Sequence, residues 1–325
     1  MKKLLKVLGI IVLSILLLLG IIAAYIKTAL PDVGPAQQIT IAKTSQKIKR
    51  GAYLAKSVMI CMDCHSKRDP VFFSMPMVYS TIGEGGEQFD QSMGFPGVYF
   101  SANITPAVIG TWTDGEIYRA ITTGVRKNGK PIFPVMPYHS YRRADPEDIE
   151  SVIVFLRMLN PIQNIVPESK SDFPMNIILN TIPEKAEPQT IPPSGDSIAN
   201  GRYLFNIAAC HDCHTPFEKG KFIESMAIGG GRVFPVPGGL VTSANITPDK
   251  ETGIGLWSRD IFVKHFAAYR DSTNAHRVIQ SGELQTIMPW TMYGNMTDAD
   301  LGNIYAYIQT IKPIKHEVVK WHPGK

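Results

Sequence analysis

Residues 61–65 read CMDCH, and residues 210–214 repeat the pattern as CHDCH. Together these two short runs hold all four cysteines of the 325-residue chain, Cys61, Cys64, Cys210 and Cys213. A single C-x-x-C-H arises by chance, serves as a thiol–disulfide pair, or supplies half a zinc site. Two copies that use every cysteine, behind a segment with the marks of export, point to a different chemistry. Thiols about one helical turn apart add to the two vinyl groups of haem, and the adjoining histidine is then held against the iron. The expectation is two covalently bound haem c groups, attached through Cys61, Cys64, Cys210 and Cys213, with His65 and His214 as proximal iron ligands. No cysteine is left for a disulfide, so the core is expected to form around haem.

The motifs lie 149 residues apart and belong to a longer internal repeat. GAYL (51–54) returns as GRYL (201–204), SANITP (101–106) returns letter for letter at 243–248, and GTWT (110–113) answers GLWS (255–258). MPYHSYRRADPEDIESVIVFLRMLNPI (136–162) aligns without a gap to MPWTMYGNMTDADLGNIYAYIQTIKPI (288–314), at a constant offset of 152. The landmarks keep their order. The chain therefore divides into two homologous units, 45–165 and 195–318. The Pro-, Ser- and Lys-rich stretch 166–194 between them reads as a linker, of which the apolar run from Phe173 to Leu179 packs down on a unit.

Each unit reads as helical. IKRGAYLAKSVMIC and IANGRYLFNIAAC lead into the cysteine motifs, with Gly51 and Gly201 placed for a close helix crossing or a simple turn. Thr113 with Glu116 makes a capping box, and Ser258 caps the matching helix. Asp145–Pro146 opens the last helix of the first unit and Thr297 that of the second. Both last helices carry one apolar stripe, Ile149, Val152, Ile153, Leu156 and Leu301, Ile304, Tyr305, Ile308.

Ahead of these units, twenty uncharged, mostly apolar residues lie between Lys6 and Lys27, enough for roughly 30 Å of helix and a bilayer crossing. The rival, a cleaved signal peptide, wants a shorter apolar core and a small-x-small site, and no clean A-x-A follows the run. Residues 1–27 are thus expected to be an N-terminal membrane anchor. Lys2, Lys3 and Lys6 before the span place its start in the cytoplasm and the rest outside. Without those three and Lys27, the net charge of +5 falls to about +1. The basic balance is an anchor effect and no nucleic-acid surface is expected.

The paired C-x-x-C-H motifs, the two NITP segments, Trp112 and Trp257, and the MPY and MPW segments resemble the class I cytochrome c fold, one unit per half. Over residues 45–320 the chain is similar to the cytochrome c subunits of membrane-bound alcohol and gluconate dehydrogenases. Those subunits usually carry three haems; here there are two motifs. The resemblance implies an all-α fold, two tandem class I cytochrome c domains behind an N-terminal transmembrane helix. It also implies that the methionine of each MP-aromatic segment, Met136 and Met288, is the distal iron ligand.

The repeat register favours the same pair. Met288 aligns with Met136, whereas Met292 aligns with Ser140 and Met296 with Ala144. Met75, Met77 and Met226 remain within chain reach of an iron, and His139, His265 and His276 are the alternative histidines. Two N-x-T triplets match a glycosylation pattern, but their repeated place suggests a structural turn. Trp112 and Trp257 are candidates for a propionate contact or for plain core packing.

The function expected is electron transfer without substrate chemistry. The chain would be a membrane-anchored periplasmic dihaem cytochrome c, taking electrons from a dehydrogenase or quinol and passing them to a terminal oxidase or another cytochrome. Its alternative is a bacterial dihaem cytochrome c peroxidase, which needs one iron open to peroxide. A haem-based sensor would need a labile ligand in the same way.

Overall fold

The computed structural model describes residues 1–324. Lys2–Ala29 form one 28-residue helix with a mean hydropathy of 3.1 over its most apolar window, and none of it is buried. Among the described residues it is the one helix long and apolar enough to cross a membrane.

Beyond it, the same arrangement is built twice. In the first half, Thr44 caps the helix Ser45–Tyr53, which loosens into a π-helical turn at Leu54–Val58 and is followed by the single turn Cys61–Cys64. In the second half, Asp196 caps Ser197–Ile207, followed by Cys210–His214. The long closing helices are Pro146–Arg157 and Asp298–Ile308. Their caps are those expected: the Asp145 carboxylate accepts from the Glu147 amide at 2.8 Å, and the Thr297 hydroxyl from the Asp300 amide at 3.0 Å. The capping box of Thr113 and Glu116 is complete on Asp114–Thr123, and Ser258 caps Arg259–Ala267.

In each half the leading and closing helices cross at a glycine. A Cβ on Gly51 would lie 1.8 Å from the Ser151 carbonyl oxygen, and one on Gly201 would lie 1.9 Å from that of Asn303. Any side chain would force the backbones apart. The close approach seats the apolar stripes: Ile149, Val152 and Ile153 have no exposed surface, and Leu301 and Ile308 almost none. They pack with Leu54, Val58 and Met59, or with Leu204 and Ile207. Burial of each such side chain contributes roughly 1.5–3 kcal/mol.

The fold is not purely all-α. Gln88–Phe89, Gly97–Phe100 and Lys170–Ser171 form a small antiparallel sheet. Val233–Val236, Gly239–Thr242 and Trp321–Pro323 form a second, and Phe217–Glu218 pairs with Lys221–Phe222. These strands are two to four residues long, too short for an alternating pattern to appear in sequence. They form because glycine turns reverse the chain and leave backbone groups to be paired.

The segment 166–194 lies along the first half. Lys170–Ser171 adds to the strand Gly97–Phe100, Arg142 pairs with Glu184 and Glu187, and the Ile191 amide donates to Asp145 Oδ2 at 2.8 Å.

The halves meet in a reciprocal contact. The Tyr203 hydroxyl donates to Asp148 Oδ2 at 2.7 Å and accepts from the Asp145 amide at 3.1 Å. At the aligned positions, the Tyr53 hydroxyl donates to Asp300 and accepts from the Thr297 amide at 3.2 Å. Each half's leading helix thus caps the other half's closing helix, as a two-fold related pair would.

Candidate haem sites

Both cysteine turns begin from a residue in left-handed conformation, Ile60 at φ 46° and Ala209 at φ 52°. A non-glycine residue there costs on the order of 1–2 kcal/mol, and such strain persists only where the surroundings impose it. Here the turn is tied from behind. The buried Tyr141 donates to the Met59 carbonyl at 2.6 Å, and the buried Tyr293 donates to the Ala208 carbonyl at 2.6 Å. Burial holds both phenols well above their ordinary range, so they remain neutral donors. Each tyrosine stands five residues after the methionine of its MP-aromatic segment. The bond therefore fixes that segment against the cysteine turn.

The histidines are held in one tautomer. His65 Nδ1 donates to the Ala102 carbonyl at 2.6 Å, and His214 Nδ1 donates to the Ala244 carbonyl at 2.7 Å. With Nδ1 carrying the proton, Nε2 presents its lone pair, as a metal-binding imidazole must. Burial lowers both imidazole pKa values despite the opposing carbonyl bond, which keeps the rings neutral. The accepting peptide is backed by a glycine at positive φ. A Cβ on Gly85 would sit 2.4 Å from the Ala102 carbonyl, and one on Gly230 would sit 2.5 Å from the Ala244 carbonyl carbon.

The NITP segments explain why those carbonyls stay in place. Asn103 Oδ1 accepts from the amide and hydroxyl of Thr105, and its Nδ2 donates to the Ile162 carbonyl at 2.8 Å. Asn245 does the same with Thr247 and the Ile314 carbonyl at 2.7 Å. Each asparagine is 3% exposed, which removes it as a glycosylation acceptor. It joins the histidine loop to the exit of the closing helix.

The four thiols are free and held neutral. Burial raises Cys61 and Cys64 to about 12 and Cys213 to about 11, and lifts Cys210 as well, so all four stay protonated. None is in a disulfide. Among the described residues, no group of three or more His, Cys, Asp or Glu side chains is arranged to hold a metal ion. Two thiols three residues apart, a neutral imidazole with Nε2 unprotonated, and a methionine on the same core are a donor set that fits haem c.

Met136 and Met288 are half-buried and pack against the hydrophobic core, as Cys61, Cys210, Trp112 and Trp257 also do. Met292 and Met296 are 4% and 1% exposed and lie within the core itself. Met75 is buried, while Met77 and Met226 are half-buried. The three alternative histidines have other partners. His139 Nε2 lies 2.8 Å from Asp212 Oδ2, His265 is edge-on to Trp257 and Trp290, and His276 is edge-on to Phe72. Burial pushes the Asp212 carboxyl upward, but the imidazoles of His139 and His211 hold it below its usual range. Asp63, its aligned counterpart, is raised to about 6 by burial, against the pull of Arg68.

Sequence reading alone misses the Ala102 and Ala244 carbonyls and the Tyr141 and Tyr293 anchors. The exact repetition of SANITP was the available signal for the first pair, and the 152-residue register for the second.

Residues 198–312 match the family model of cytochrome c. The chain is 26% identical over 282 residues to the cytochrome c subunit of a quinone alcohol dehydrogenase from Gluconobacter oxydans, covering 82% of this chain and 55% of that one. It is 28% identical over 303 residues to the fructose dehydrogenase cytochrome subunit of Gluconobacter japonicus, covering 87% and 56%. It is also 30% identical over 200 residues to a dihaem c-type cytochrome of Cereibacter sphaeroides, covering 58% and 64%. The chain thus spans little more than half the length of the dehydrogenase subunits it resembles.

Proposed function

We propose that this chain, whose second half is a cytochrome c domain, is a dihaem electron relay built from two tandem cytochrome c domains. The observation that carries the reading is the duplicated histidine geometry: each C-x-x-C-H histidine donates Nδ1 to the carbonyl of an alanine in a SANITP segment. Haem, once attached, supplies reversible one-electron chemistry of its iron. The protein holds it. Cys61, Cys64, Cys210 and Cys213 attach it, His65 and His214 present Nε2, and Met136 and Met288 supply the distal thioethers. With histidine and methionine both ligating, each iron would have a raised reduction potential and would be closed to substrate, as a relay requires.

The relatives named as cytochrome subunits of alcohol and fructose dehydrogenases support a dehydrogenase as electron donor. A quinol is a further donor, and a terminal oxidase or other cytochrome the acceptor. The apolar helix Lys2–Ala29 serves as the anchor, with the lysines at its start on the cytoplasmic side and the haem domains in the periplasm. The peroxidase alternative gains no support from these relatives.

The deciding experiment is a haem count by mass together with oxidised and reduced visible spectra of the detergent-solubilised chain. Two covalent haems, both low-spin with a methionine–iron charge-transfer band, are expected. A high-spin haem that turns over peroxide contradicts the relay.

A further inference from the structure

The two methionine segments align residue for residue, yet their backbones are held differently. In the first half, the Met136 carbonyl accepts from the Tyr138 amide at 2.8 Å and the Met136 amide donates to Phe133 at 3.3 Å, so its backbone partners are local. In the second half the same local bond is kept, from the Trp290 amide to the Met288 carbonyl at 2.8 Å, and the Met288 amide donates to the Thr286 hydroxyl at 3.0 Å, but Ser74 also reaches across from the first. Its hydroxyl donates to the Met288 carbonyl at 2.5 Å and accepts from the Trp290 amide at 3.1 Å.

Ser74 belongs to the loop that leaves the first cysteine motif, and that loop is stapled to the second half. Gln285 is 1% exposed and fully hydrogen-bonded. Its Oε1 accepts from the amides of Ser74 at 2.9 Å and Thr286 at 3.0 Å, and its Nε2 donates to the carbonyls of Pro70 at 3.2 Å and Phe72 at 3.0 Å. The Phe73 amide donates to the Arg277 carbonyl at 2.8 Å, and the Ile279 amide to that of Val71 at 2.9 Å. Ser74 and Met75 are both at positive φ, 66° and 46°. Such a pair survives only where its neighbours dictate the path.

The second half cannot return the contact. The residue aligned with Ser74 at the 149-residue offset is Ile223, which has no hydroxyl. Lys219 and Gly220, at φ 49° and 81°, turn that loop into the hairpin Phe217–Glu218/Lys221–Phe222, so it folds on itself.

We infer that Ser74 is a positioning residue for the second iron: the loop leaving the first haem site holds the backbone of Met288, so the first half governs how readily the second iron gives up its methionine. The inference rests on Met288 being the distal ligand. Met136 has no such hold and is the more easily displaced of the two.

Cyanide binding to the oxidised full-length protein in detergent tests it, because cyanide must displace the methionine. Met136→Ala and Met288→Ala identify which kinetic phase belongs to which haem. The test variant is Ser74→Gly, since glycine accepts the positive φ and the hydroxymethyl group that makes both bonds is removed. Cyanide is expected to bind the second haem roughly fivefold faster, the worth of about one hydrogen bond, with the first haem unchanged. An unchanged rate at the second haem, or equal acceleration at both, overturns the inference. If Met288→Ala leaves both methionine–iron bands intact, the ligand reading falls and this inference with it. If Met288→Ala removes one band and Ser74→Gly has no effect, only the inference falls.

Discussion

Tyr203 donates its phenolic hydrogen to Asp148 at 2.7 Å, so a residue of the second half completes an ion pair of the first. Asp148 is 1% exposed, and the Arg50 guanidinium grips both its oxygens at 2.7 Å. A carboxylate removed from water needs each of these partners. At the opposite end, Tyr53 meets Asp300 without a matching arginine, since Asn200 aligns with Arg50.

Tyr203→Phe is therefore expected to destabilise the protein by about 1.5–3 kcal/mol, the range for a hydrogen bond to a charged group. Tyr53→Phe, facing a partly exposed carboxylate, should cost less, about 1 kcal/mol. Urea unfolding followed by circular dichroism measures both. Equal losses would contradict the asymmetry.

Gly51→Ala and Gly201→Ala each place a Cβ within 2 Å of a carbonyl oxygen on the facing helix. Overpacking at a backbone contact has no flexible side chain to absorb it. A loss above about 4 kcal/mol, or failure to accumulate folded protein, is expected for each. The yield of haem-loaded chain and its melting temperature report the outcome, and near-wild-type melting would refute the close crossing.

Met292→Ala and Met296→Ala remove core side chains that are 4% and 1% exposed, at a cost of about 2–5 kcal/mol each. Neither should remove a methionine–iron charge-transfer band. Met288→Ala should remove one band and Met136→Ala the other. The visible spectra of the four variants separate ligand from packing methionines.

Replacing Cys61 and Cys64 together by alanine should leave one covalent haem, bound through Cys210 and Cys213. Intact-mass measurement reads the count directly. Two haems retained in that variant would remove the first motif from the cofactor assignment.

Asn103→Ala and Asn245→Ala each break the tie between a histidine loop and the exit of a closing helix. With buried partners left unpaired, a loss of about 1–3 kcal/mol is expected. A raised reduction potential of the haem in the affected half should accompany it, because a weaker bond from histidine Nδ1 to its carbonyl leaves the imidazole a less basic ligand and favours the reduced iron. Potentiometric titration of both variants tests that link.

Much of this was legible in the chain itself, where the signals are short-range. Thr113 and Glu116 announced their capping box because its partners stand three residues apart. Ile149, Val152, Ile153 and Leu156 announced a buried face because helical period places them on one side. The strands at Gly97–Phe100 and Val233–Val236 were not legible, being shorter than any period can show. Nor was the path of residues 170–191, whose partners lie on the strand Gly97–Phe100 and at Arg142 and Asp145.

By itself the sequence determined the two C-x-x-C-H motifs, the internal repeat and the capped, striped helices, because thiol spacing, register and periodicity are properties of neighbouring residues. Only the tertiary structure decided which carbonyl orients each histidine, how Tyr53 and Tyr203 exchange caps, and that Ser74 holds Met288 from 214 residues away. Such contacts follow no interval along the chain. They arise where packing brings distant backbone groups together and leaves each in need of a partner.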